Sequence, residues 1–106
     1  EYGPECTNTS LGADYYGNTS VTITGKICQH WAYDRPHQNS YKDAEKFPDK
    51  TLRDAANHCR NPDSSRKAPW CYTIDEVVEW EYCNIPPCGG PGELQSIVLF
   101  ADKLDL

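Results

Sequence analysis

The sequence predicts a small disulfide-rich domain with short antiparallel strands and mostly loops. Three observations lead there. The chain has 106 residues, enough for a single domain of ordinary size. Leu, Ile, Val and Phe number only 17, which with a net charge of −6 would by itself suggest disorder. Six cysteines reverse that expectation. Bridges lower the entropy of the unfolded chain, each by about 2 to 4 kcal/mol, and let a poor core suffice.

Taken in order, residues 1–5 form an N-terminal extension, residues 6–88 the cysteine-framed domain, and residues 89–106 a Gly/Pro linker with an apolar tail. Within the frame, Val21-Thr22-Ile23-Thr24 before Gly25 reads as a short strand, because β-branched residues suit the extended backbone. Residues 50–57 offer a helical turn or two. Trp80-Glu81-Tyr82 reads as a second strand. Pro36, Pro48, Pro62, Pro69, Pro86 and Pro87 recur too often for a long helix. After Gly89-Gly90-Pro91-Gly92, the run Ile97 to Phe100 fits a helix or a buried strand equally, either packing on the domain, starting a neighbour or binding a partner.

The cysteines imply a secreted or extracellular setting, where bridges persist. Asn8-Thr9-Ser10 and Asn18-Thr19-Ser20 are acceptor sequons for glycosylation at Asn8 and Asn18, in keeping with that setting. The absence of methionine marks a processed or excised piece. Nowhere do 18 apolar residues run together, so no membrane insertion is expected of this segment. From Cys6 to Cys88 the charge is only −2, and Arg66-Lys67 is the sole adjacent basic pair. A nucleic-acid partner, which needs a clustered basic face, is excluded. So is a metal, since no C-x-x-C chelating pair exists, and no cofactor is expected.

Six cysteines allow 15 pairings, and their intervals of 21, 30, 11, 11 and 4 residues do not choose among them. The surrounding residues are more specific. Cys28-Gln29-His30-Trp31, Pro36-His37, Asn57-His58-Cys59-Arg60-Asn61-Pro62-Asp63, Ala68-Pro69-Trp70-Cys71-Tyr72-Thr73 and Trp80-Glu81-Tyr82-Cys83-Asn84-Ile85-Pro86-Pro87-Cys88 together resemble a kringle domain. The resemblance implies a triple-looped fold with Cys6 bridged to Cys88, Cys28 to Cys71 and Cys59 to Cys83, the inner two lying across one another. With nine Val, Ile or Leu residues between Cys6 and Cys88, the interior must be bridges, Trp31, Leu52 and part of the aromatic set. Tyr15-Tyr16-Gly17 and Asn57-His58-Cys59 depart from the usual Tyr-Arg-Gly and Asn-Tyr-Cys, and a long second interval can reshape the loop from Tyr33 to Arg53.

Kringles similar to this one are binding modules, and the better-known members bind lysine in a shallow surface trough that needs carboxylates for the ammonium, an aromatic floor for the methylene stem and a cation for the free carboxylate. The resemblance puts Trp70, Tyr72 and Trp80 in the floor, with Tyr41 as a wall. Both poles are altered. Asp63 fills the first acidic place, but Ser65 stands in the second. Glu79 stands where the family usually has a base. This pattern implies a degraded free-lysine site and an acidic aromatic trough, flanked by Asp63 and Glu79, for the lysine or arginine of an extracellular protein partner. Three plainer arrangements compete: the aromatics as core, Asp63 as a turn cap with Glu79 in a solvated stretch of Asp75, Glu76, Glu79 and Glu81, and Arg66 or Lys67 folding back into the trough. No catalytic residues are assigned: His30, His37 and His58 are dispersed and no protease-type serine motif accompanies them. The expected function is a non-catalytic binding module of a larger mosaic protein, and the alternative is a structural spacer with a vestigial site.

Overall fold

The computed structural model describes residues 2–89, so the readings of residue 1 and of the tail from 90 to 106 lie outside the described residues. Its three disulfides are Cys6–Cys88, Cys28–Cys71 and Cys59–Cys83. The inner two cross at the centre, with the Sγ atoms of Cys28 and Cys59 3.9 Å apart. The outer bridge joins residues 82 apart, and the chain ends pair beside it: Thr7 N–H donates to Pro86 O at 2.9 Å and Cys88 N–H to Thr7 O at 2.8 Å. Closing so long a loop contributes about 4 to 5 kcal/mol through the unfolded state.

Regular structure is sparse. Helix α1 covers Leu52–Ala55, started by Thr51, whose hydroxyl accepts from Asp54 N–H at 3.0 Å, and ended by Ala56 at φ 51°. Strands β1 (Trp70–Tyr72) and β2 (Trp80–Tyr82) pair antiparallel, with Trp70 opposite Tyr82, Cys71 opposite Glu81 and Tyr72 opposite Trp80. Side chains alternate along a strand, so this register puts four aromatic rings on one face and Cys71 and Glu81 on the other. The repeated aromatic-x-aromatic pattern therefore builds an aromatic face.

The segment from Val21 to Thr24 is not a strand. Only Val21 bridges, to Ile27, because Gly25 at φ 88° turns the chain back and Thr22 N–H bonds Lys26 O at 2.8 Å. The hydroxyls of Thr22 and Thr24 donate to Glu81 Oε1 at 2.6 and 2.7 Å. Glu81 is consequently buried and does not belong to a solvated acidic stretch. Asp75 instead caps its own turn, accepting from Val77 and Val78 N–H, which holds its carboxyl below the usual range.

Trp31 is the hub of the interior, meeting Phe47, Trp70 and Tyr72 edge to face at 5.1, 5.2 and 5.9 Å, while Leu52 packs at its margin. Its indole N–H donates to His58 O at 2.7 Å. Beside this core lies a buried ion pair. Arg60 binds Asp49 through two bonds of 2.7 and 2.9 Å, and its Nη1 donates to Gly17 O and Cys59 O, both at 2.7 Å. Both side chains are almost wholly enclosed. A Cβ at Gly17 would lie 2.6 Å from Tyr15 Oη and 2.7 Å from the Glu5 carboxylate, so a larger residue there would displace the Tyr15–Glu5 hydrogen bond.

Several groups tie stability to pH, His58 near neutrality and carboxyls such as Glu5 and Asp75 in the acid range. Burial, with the nearby Arg60 charge second, holds the His58 imidazole below its ordinary 6.5, and its Nδ1 is buried without a hydrogen-bond partner among the described residues. Partial burial works upward on the Glu5 carboxyl, but bonds from Tyr15, Asn18 and Thr19 outweigh it and hold the group below 4.5. Burial, reinforced by Glu5, raises the Tyr15 phenol to about 12. Both His58 and Glu5 are depressed, so the native state holds fewer protons than the unfolded chain and stability falls on acidification. The melting temperature should decline first as pH drops through 6.5, then again below 4.5. His58→Tyr should remove the first decline and leave the second, as followed by thermal melts across pH.

Candidate functional site

The aromatic face is governed by the loop from Asn61 to Arg66. Pro62–Ser64 makes one 3-10 turn, with Asp63 and Ser64 at φ 59° and 50°. Asn61 is fully buried and holds that loop from inside. Its Oδ1 accepts from Trp70 Nε1 at 3.2 Å and Arg66 N–H at 3.0 Å. Its Nδ2 donates to Arg66 O at 2.8 Å and Leu11 O at 2.7 Å. One amide thus fixes both backbone groups of Arg66. Ser65, in the place of the second acid, turns its hydroxyl to the Trp70 indole N–H at 3.3 Å.

Three of the four aromatics proposed from the sequence surround Trp70, whose ring centroid lies 5.5 Å from Tyr41, 5.1 Å from Tyr72 and 5.8 Å from Trp80, all edge to face. Trp70 is 0% exposed and Tyr72 4%. Trp80 and Tyr41 are half-buried and present the accessible rings. The Tyr72 hydroxyl accepts from Ser40 N–H at 3.3 Å, which joins the loop carrying Tyr41 to this face.

The enclosure of Trp70 has a specific contributor. The Arg66 guanidinium carbon sits 3.7 Å from the Trp80 ring centroid and 4.3 Å from that of Trp70, in the corner between two indoles inclined at 72°. This is the folding-back arrangement, with Arg66 as the residue that enters. Cation–π attraction of this kind contributes about 0.5 to 2 kcal/mol, depending on how far the cation is desolvated. Arg66 Nε is buried and has no hydrogen-bond partner among the described residues.

Both acids are exposed. Asp63 is exposed, and its Oδ1 lies 3.7 Å from Lys46 Nζ, a surface pair contributing no more than about 1 kcal/mol. Glu79 is exposed immediately before β2, and its carbonyl accepts from Thr73 N–H at 3.0 Å. Lys46 and Asn61 were not legible as site residues. Lys46 reaches Asp63 from another loop 17 positions away, and nothing in local spacing signals that approach. Asn61 stands in a motif that marks the family without revealing what its amide holds.

Comparison with known proteins agrees with this architecture. A family model for the kringle domain matches residues 6–88. An apolipoprotein(a)-like protein of Homo sapiens is 46% identical over 91 residues, a match that covers 83% of this chain and 65% of the relative, so the chain spans less than two thirds of that relative's length. Among the described residues no helix is long and apolar enough to cross a membrane. Three bridges of this kind belong to an extracellular setting, where thiols are not continuously reduced. With its crossed inner disulfides and the family match across residues 6–88, this chain belongs to the kringle family.

Proposed function

We propose that the chain is a non-catalytic binding module whose Trp80 face receives a lysine or arginine side chain of an extracellular protein partner, with Asp63 and Glu79 as the acidic surroundings. The observation that carries this reading is the guanidinium lying 3.7 Å over Trp80: the corner between the indoles suits a cation on an aliphatic stem. A side chain within a protein brings no terminal carboxylate. A free ω-amino acid does, and it meets Glu79 in place of a base, so the zwitterion is disfavoured. Asn8 and Asn18, both exposed, fit the proposed glycan attachment.

Lysine blocked at both termini should quench or shift tryptophan fluorescence at lower concentration than 6-aminohexanoic acid does. Both should bind weakly, because the face is shallow and solvent-screened. Glu79→Arg combined with Ser65→Asp should invert the order by restoring both poles. A wild-type preference for the zwitterion, or an unchanged preference in the double variant, contradicts the reading. No fluorescence response to either ligand would favour a spacer module.

A further inference from the structure

Resting on that cation-binding reading, we infer that Arg66 is a tethered competitor for the trough, so that a partner's lysine or arginine binds only by evicting it. Three features support this. The guanidinium occupies the space over both Trp70 and Trp80, at 4.3 and 3.7 Å, where an incoming cation would lie. The backbone of Arg66 is held at its N–H and its C=O by the buried Asn61 amide, at 3.0 and 2.8 Å. Entry and exit therefore need only side-chain rotation, with no loop to reorganise. Such a tether keeps the local concentration of competitor high whatever the solution contains.

The third feature makes the occupant displaceable. Nε of Arg66 is buried and meets no acceptor among the described residues, so the folded-back state offers it no protein hydrogen bond, and swinging out into solvent costs none. Attraction to the rings and loss of hydration oppose one another, which is the balance a reversible plug requires. The apparent affinity for any ligand is reduced by the fraction of molecules in which the site is open. Ligands with a single contact pay that full factor, and a protein partner can offset it with contacts around the rim. The device selects against free lysine independently of Glu79.

The test uses the full chain and lysine blocked at both termini, followed by tryptophan fluorescence. Arg66→Ala should bind roughly two- to thirty-fold more tightly than wild type, the range set by a cation–π contact. Arg66→Gln, which keeps part of the stem, should also bind more tightly than wild type. Independently of any variant, the Arg66 side-chain protons should resonate upfield in wild type, under the ring currents of the two indoles, and return toward their free positions as ligand saturates. Tightened binding with ligand-driven return of those resonances supports the inference. Equal affinity in wild type and both variants, with binding intact, overturns it and leaves the cation-binding reading standing. Absence of binding in all three proteins overturns both.

Discussion

Replacing Asp49 by alanine should destabilise the domain by about 3 to 5 kcal/mol, a large part of the 5 to 15 kcal/mol typical of a native domain. The reason is what remains. Arg60 keeps its bonds to Gly17 O and Cys59 O, but its guanidinium is left enclosed without a counter-charge. The intact pair contributes less than this loss suggests, because both ions were desolvated to form it. Asp49→Leu with Arg60→Met should therefore be milder than Asp49→Ala alone, and urea denaturation of the single and double variants measures the difference. A loss below about 1 kcal/mol for Asp49→Ala would show that water reaches the pair.

Trp70→Ala should be comparably severe, at about 3 to 5 kcal/mol. Trp70 touches Trp31, Tyr41, Tyr72 and Trp80, and its removal opens a cavity at the junction of core and trough. It also deprives Asn61 Oδ1 and Ser65 Oγ of the indole N–H, loosening the loop that carries Arg66. Denaturant midpoints again report the loss. The sequence motif assigns Trp70 to a ligand floor and allows core as the alternative; in the structure this ring forms the back of the corner and Trp80 its accessible side.

What was legible in the sequence follows from how local each determinant is. The bridge pairing came from the family motif, which fixes spacing and neighbours together, and the structure has the same pairs. Trp80 to Tyr82 read as a strand, and residues 50–57 as a turn or two of helix of which Leu52–Ala55 forms. Val21 to Thr24 misled because β-branching argues for extension, whereas Gly25 and the bonds of Thr22 and Thr24 to Glu81 enforce a turn. The burial of Glu81 and the Arg60–Asp49 pair depend on groups brought from other loops, which local pattern does not report. Among the site residues, alternation along two short strands accounts for the aromatic face, while the seating of Arg66 depends on one buried asparagine, which local sequence does not single out from the other arrangements it allows.

The most direct test of the account is the response of Trp80→Ala to lysine blocked at both termini. Trp80 is half-buried, so this variant should remain folded, with all three bridges formed and a cooperative denaturation curve. Made in the Arg66→Ala background, where the tethered competitor over Trp80 is gone, it should weaken binding in isothermal titration at least about fivefold relative to Arg66→Ala alone, the loss expected of one aromatic–cation contact near 1 kcal/mol. A folded protein with Trp80→Ala and Arg66→Ala that binds the blocked lysine as tightly as Arg66→Ala alone would contradict the assignment of this face as the cation site.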